Sequence, residues 1–125
     1  MNTTDNPTAT TPQRPEPMRD WHWSPAEKAV AHRAFDLALH KELEELLGQA
    51  RKRVAQATEA SDLWKLESWL GHRRREIDNK YDYRYSVLPM VFGALLREGS
   101  ISELDDLHGL GQEKLDAIRR IASFR

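Results

Sequence analysis

Ser24–Ala57, SPAEKAVAHRAFDLALHKELEELLGQARKRVAQA, is the stretch that decides the fold. It opens with a helix start. Ser24 stands as N-cap, Pro25 occupies the first turn, where a missing N–H is harmless, and Glu27 completes an S-x-x-E capping box. After Pro25 no proline intervenes up to Ala57, and Gly48 is the only glycine. Ala, Leu, Glu, Lys, Arg and Gln dominate, all good helix formers. The stretch predicts one helix of ~33 residues, ~50 Å long at 1.5 Å per residue.

Phe35, Leu39, Leu43, Leu46, Ala50, Val54 and Ala57 recur at steps of three or four, and Val30, Ala34, Leu37 and Leu47 widen the stripe. The spacing is nearly that of a coiled coil. A helix this long outruns the core of one small domain, so part of the stripe needs cover from outside the monomer. The sequence therefore predicts a homodimer formed through this helix, with Leu43, Leu46, Ala50 and Val54 at the interface.

The rest of the composition agrees. With 125 residues there is room for one domain, and a chain this short gains stability from a partner copy. Charged residues make up 31%, which suits long solvated helices. Net charge is −1, so no global basic field exists to hold nucleic acid or an anionic membrane. There is no cysteine, which removes disulfides, thiolate metal sites and cysteine nucleophiles. No apolar run is long enough to span a bilayer. The polar N-terminus is no secretory signal, so the expected compartment is the cytoplasm.

Outward from the long helix, residues 1–20 are Thr- and Pro-rich and read as a disordered tail. Thr58–Asp62 breaks the helical pattern and supplies a cap. A second helix is expected from about Leu63 to Asn79, with Leu63, Leu66, Leu70 and Ile77 on its apolar face. Trp64 and Trp69 differ by ~140° around that helix, so at least one is half exposed unless another chain covers it. A tyrosine-rich link, Tyr81–Tyr85, precedes a third helix over Val87–Glu98, with Ser86 as cap, Pro89 in the first turn and Gly99 as the stop. A short helix capped by Ser102, a turn at His108–Gly111 and a last helix over Gln112–Ser123 complete an all-α reading. Residues 21–125 form one domain, with stalk helices in 21–80 and a compact helical head in 81–125.

No catalytic constellation emerges. His32, Asp36, His40 and Glu44 recur at steps of four, but each step drifts ~40°, so at most two could converge on a metal. No nucleophile–base pair, P-loop, GxGxxG or GxSxG is present. The expectation is a protein with no enzymatic activity, no cofactor and no metal. Leu107-His108-Gly109-Leu110-Gly111 followed by a helix is laid out like a helix-hairpin-helix, whose turn offers N–H groups to phosphate. Asp105, Asp106, Glu113 and Asp116 surround it, the wrong charge balance for nucleic acid. Arg73-Arg74-Arg75 beside Trp64 and Trp69 is a better candidate surface, because Trp and Arg are enriched at protein–protein hot spots.

Asp62-Leu63-Trp64-Lys65-Leu66, then Arg74-x-Glu76-Ile77-Asp78-x-Lys80-Tyr81-Asp82-x-Arg84-x-Ser86-Val87, resembles the fluorescence recovery protein family of cyanobacteria. The similarity runs on through Val91-Phe92, Leu95-Leu96, Glu98-Gly99, Leu107 and Lys114. The resemblance implies a helical stalk, a helical head and a homodimer through the stalks. It also implies binding to the photoactivated orange carotenoid protein, faster return of that protein to its orange form, and its detachment from the phycobilisome antenna. Trp64 matches the family tryptophan of the dimer interface, and Arg74 the arginine implicated in partner binding. Glu67 and Ser68 stand where the family commonly has a His-Asp pair. Met90 and Ala117 stand where it has an aromatic residue and a lysine on the head surface, near Lys114. A second reading keeps the dimeric scaffold and gives it a different protein partner.

Overall fold

The computed structural model describes residues 17–18 and 21–124; the rest of the stretch 1–20, read above as a disordered tail, lies outside the described residues. Five α-helices follow in order: α1 Pro25–Gln56, α2 Ala60–Lys80, α3 Leu88–Glu98, α4 Glu103–Asp106 and α5 Gln112–Ser123. No strand occurs among the described residues.

The capping box forms as read. Ser24 Oγ accepts the Glu27 N–H at 3.1 Å and Glu27 Oε1 accepts the Ser24 N–H at 3.0 Å. α2 starts at Ala60, three residues before the expected Leu63. The reason is Asp62, whose carboxylate reaches back to the N–H groups of Thr58 and Glu59 at 2.9 and 3.0 Å and so caps from inside the first turn. Ser86 does not cap α3. The Arg84 carbonyl accepts the N–H groups of Val87 and Leu88, at 2.9 and 3.0 Å, and the helix begins one residue late with Val87 at the cap. α3 ends as expected, with Gly99 at φ 78° and the Ser100 N–H bonded back to the Leu95 carbonyl at 2.9 Å, a Schellman closure.

The core draws on the first half of α1 and on the C-terminal helices. Ala31, Ala34, Phe35 and Ala38 meet Leu88, Phe92 and Leu95 of α3, with Leu107 and Ile118 closing the cluster. The head thus includes the first turns of α1 as well as residues 81–125. α3 and α5 pack closely: a Cβ added to Gly93 would lie 2.8 Å from Ile121 Cβ. The tyrosine link wraps onto α1, where Phe35 meets Tyr83 and Tyr81 edge-on, at centroid distances of 4.8 and 5.5 Å.

Two residues read as head surface are inside. Ala117 is 5% exposed and Lys114 8% exposed. Lys114, Ala117 and Ile118 follow the three-and-four spacing of the inner face of α5, so this stripe is packing. Lys114 keeps its charge buried by pairing: Nζ donates to the His22 carbonyl at 2.7 Å and lies 3.1 Å from Glu27 Oε2. It also stands 5.1 Å from the Trp23 ring centroid. The same Glu27 carboxylate accepts the Gly111 N–H at 2.8 Å. One side chain therefore caps α1, pairs with α5 and fastens the turn before it.

Burial works against charge on Glu27, but the N–H groups of Ser24 and Gly111 and the Lys114 ammonium outweigh it and hold the carboxyl at about 2. A carboxylate with a depressed pKa stabilises the fold fully above its unfolded value and loses that contribution as pH falls through the folded value. Glu27→Gln is expected to cost on the order of 2 kcal/mol at neutral pH, leaving Lys114 without its counter-charge. Urea unfolding followed from pH 7 to pH 2 checks this. The gap between wild type and variant should narrow as pH drops from about 4.5 towards 2, and a constant gap would contradict the role.

Candidate functional site

Beyond Ala38, α1 leaves the head and runs beside α2, which returns antiparallel to it. Three contacts fix which faces meet: Lys80 to Glu42 at 2.8 Å, Arg73 to Glu42 at 3.5 Å, and the Arg53 guanidinium 4.2 Å from the Trp69 ring centroid. At ~100° per residue, Leu43, Leu47, Ala50 and Val54 then lie ~110° around α1 from the face that meets α2. On α2, Leu63 and Leu70 lie a similar way round from Trp69 and Arg73. The helices are both right-handed and run in opposite directions, so these two rotations bring both apolar rows to the same side of the hairpin.

That side is bare among the described residues. Leu43, Leu47, Val54, Leu63 and Leu70 are all exposed. Leu46 and Ala50 are half-buried. The steps 43, 47, 50, 54 are heptad steps, the spacing of a helix–helix seam. A contiguous row of exposed leucines on a chain otherwise so charged is the candidate interaction surface.

The other sequence-derived residues fall into separate places. The two tryptophans part company as their angles require: Trp69 is half-buried beneath Arg53, while Trp64 is 66% exposed on the outer edge of α2. Arg74 borders the Leu63–Leu70 row with its side chain 84% exposed, 3.8 Å from Asp78. Glu67 and Ser68 are exposed on the same helix. Met90, 54% exposed, sits apart on the head beside a shallow cavity of about 330 Å³ that Val87, Val91 and Ala94 also line. Ala117 and Lys114, inside the head, belong to neither surface.

Other candidates find structural employment. His32 pairs with Asp36 at 2.9 Å and His40 approaches Glu44 at 3.7 Å, so the row pairs off along the helix. No cluster of three or more potential metal ligands occurs among the described residues. At the helix-hairpin-helix-like turn, the Gly111 N–H that would meet a phosphate is already held by the Glu27 carboxylate.

Sequence reading missed the junction of hairpin and head. Glu42 accepts from Lys80 Nζ and from the Tyr81 hydroxyl, both at 2.8 Å, and Lys80 also reaches Glu98 at 2.6 Å. Burial alone would raise the Glu42 pKa, yet the bonds from Lys80 and Tyr81 and the charges of Lys80 and Arg73 bring it below the usual carboxylate value. Burial raises the Tyr81 phenol, and the neighbouring Glu42 carboxylate raises it further. Glu42 is 38 residues from Lys80 in sequence, so no local spacing announces the pair.

Glu42→Gln should lower stability by on the order of 1–2 kcal/mol and shift Tyr81 ionisation to lower pH, because the repelling carboxylate is gone. Thermal melts and an ultraviolet tyrosine titration of variant against wild type check both. An unchanged phenol titration would show that burial alone governs Tyr81.

Comparison with known proteins agrees with this architecture. Residues 23–122 match the family described as photoprotection regulator fluorescence recovery protein. The fluorescence recovery protein of Synechocystis sp. is 43% identical over 101 residues, spanning 79% of this chain and 93% of that protein. The solved structure of the Fremyella diplosiphon fluorescence recovery protein superposes with a TM-score of 0.75 at 41% identity, over 82% of this chain and all of that one. The Synechocystis structure gives 0.76 at 40% identity with the same coverage. The chain belongs to the fluorescence recovery protein family of photoprotection regulators.

Proposed function

We propose, with that membership as the premise, that the chain is a non-enzymatic regulator that works as a homodimer in the cytoplasm. It binds the photoactivated red form of an orange carotenoid protein, or a related carotenoid-binding domain, and hastens its return to the orange form. The observation that carries this reading is the family match across residues 23–122. No cofactor is needed. A protein that binds one conformation of its partner better than another shifts that equilibrium without covalent chemistry, by no more than the difference in its two affinities.

The bare apolar side of the hairpin supports the dimer. A second copy laid on it would cover Leu43, Leu47, Val54, Leu63 and Leu70. Each such side chain, fully buried, is worth roughly 1.5–3 kcal/mol. Trp64, on the outer edge of α2, would be reached at the rim. Arg74 borders the row with its guanidinium exposed, placed to meet a carboxylate of the partner.

A second reading keeps the dimer and changes the partner. Glu67, Ser68 and Met90, all exposed, depart from the pattern the resemblance implies at those positions. Mixing the protein with photoconverted orange carotenoid protein separates the two: red-to-orange relaxation should accelerate severalfold at equimolar ratio. An unchanged rate in excess would leave the second reading.

Light scattering should report about twice 14.5 kDa at micromolar concentration. Leu47→Glu should return the mass to the monomer, and Trp64→Ala should weaken the dimer to a smaller extent. A monomer in the wild type would remove the interface.

A further inference from the structure

The hairpin has a second side, opposite the leucines, and its chemistry is different. There a cavity of about 600 Å³ opens between the helices, lined by Gln49, Lys52, Arg53, Gln56, Trp69 and Arg73. No acidic residue lines it. A smaller cavity of about 250 Å³ continues it towards the hairpin tip, sharing Arg53 and Gln56 and adding Asp62 and Lys65.

The charges along this groove are not equally spent. Arg73 is bound to Glu76 at 2.7 Å and lies 3.5 Å from Glu42. Arg53 is stacked on Trp69 and has no hydrogen-bond or ion-pair partner among the described residues. Lys52 has none either. A guanidinium held over an aromatic face restricts the side chain while its N–H donors stay available, which lowers the ordering cost of a carboxylate contact. Gln49 and Gln56, one turn before and after Arg53, add amide donors beside it. The result is an oriented, unpaired cation over a flat aromatic floor.

We propose that this groove binds an acidic segment of a protein partner, with a carboxylate seated on Arg53 and Lys52 and an apolar neighbour on the exposed part of Trp69. Protein is favoured over nucleic acid by the surroundings. Glu42, Asp62 and Glu76 flank the groove, so its cationic stretch is short and suits one carboxylate beside an apolar residue, not a run of phosphates. The groove also faces away from the leucine row, so it stays open whether or not that row is covered by a second copy. The site rests on the hairpin alone and does not require the carotenoid-protein reading.

The test uses the full chain and a blocked peptide carrying one Glu-Leu pair among Ser and Gly residues at low salt, with no carotenoid protein present. Binding should move the Trp69 indole N–H resonance, identified by its loss in Trp69→Phe. Arg53→Gln should weaken binding about tenfold or more, since it removes a charge-assisted contact. Lys52→Gln should weaken it less, and Arg120→Gln, an exposed arginine on α5, not at all. Raised salt should weaken wild-type binding. Circular dichroism confirms that the variants stay folded. No Trp69 shift at millimolar peptide, or equal affinity in Arg53→Gln and wild type, would overturn the proposal. Tighter binding of a single-stranded oligonucleotide at the same resonance would overturn it in favour of a phosphate site.

Discussion

The length of α1 is the constraint on which the rest of the structure depends. One uninterrupted helix passes through two environments. Up to Ala38 it is a core helix, with small residues that let α3 and the tyrosine link close onto it. Beyond that point the three-and-four periodicity continues, but nothing among the described residues covers its outer side. A head of this size cannot reach further along a ~50 Å rod. The exposed leucines lie well over 100° around the helix from Ala31, Ala34 and Ala38, so they form a second apolar stripe past the end of the core, and α2 can shield only one flank of it.

Two carboxylates set how this helix is held. Glu27 at its start and Glu42 at the exit from the head each gather a lysine and further donors from segments distant in sequence. Each is mostly buried, so each is worth more as part of a full set of bonds than as an ion pair alone. Their spacing means that the head grips α1 at both ends of the shared stretch, and the direction in which the hairpin leaves the head follows from the second grip.

Legibility in the sequence followed the range of the forces involved. The capping box, the Gly99 stop and the helical periods act within a few residues, and they were readable as written. The start of α2 was not, because Asp62 caps from inside the helix. Nor was the inner position of Lys114: a lysine is almost never fully buried unless paired, and its pair, Glu27, is 87 residues away. Ala117 was misread on the resemblance, although its place on the Lys114–Ile118 stripe was there to be seen. Of the surface candidates, Leu43, Ala50 and Val54 share one side as their periodicity predicts, but Leu46 turns towards α2 and is half-buried, and Leu47 stands in the exposed row instead. The Arg53–Trp69 stack was not legible, since it depends on how two helices are set side by side.

The two faces of the hairpin differ in what they demand. The leucine side gains by excluding water and is indifferent to direction, and the proposed second copy would satisfy it, because a two-fold axis pairs each row with its own duplicate. The groove side gains by charge and donor geometry, and a copy of this chain would present it with the same unpaired arginine. Self-association can therefore satisfy the first face only. A protein that must both dimerise and recognise something else benefits from this separation, since occupancy of one face leaves the chemistry of the other unchanged. The exposed Arg74, at the border of the leucine row, is where the two demands come closest, because its guanidinium can serve the dimer or a partner docked beside it.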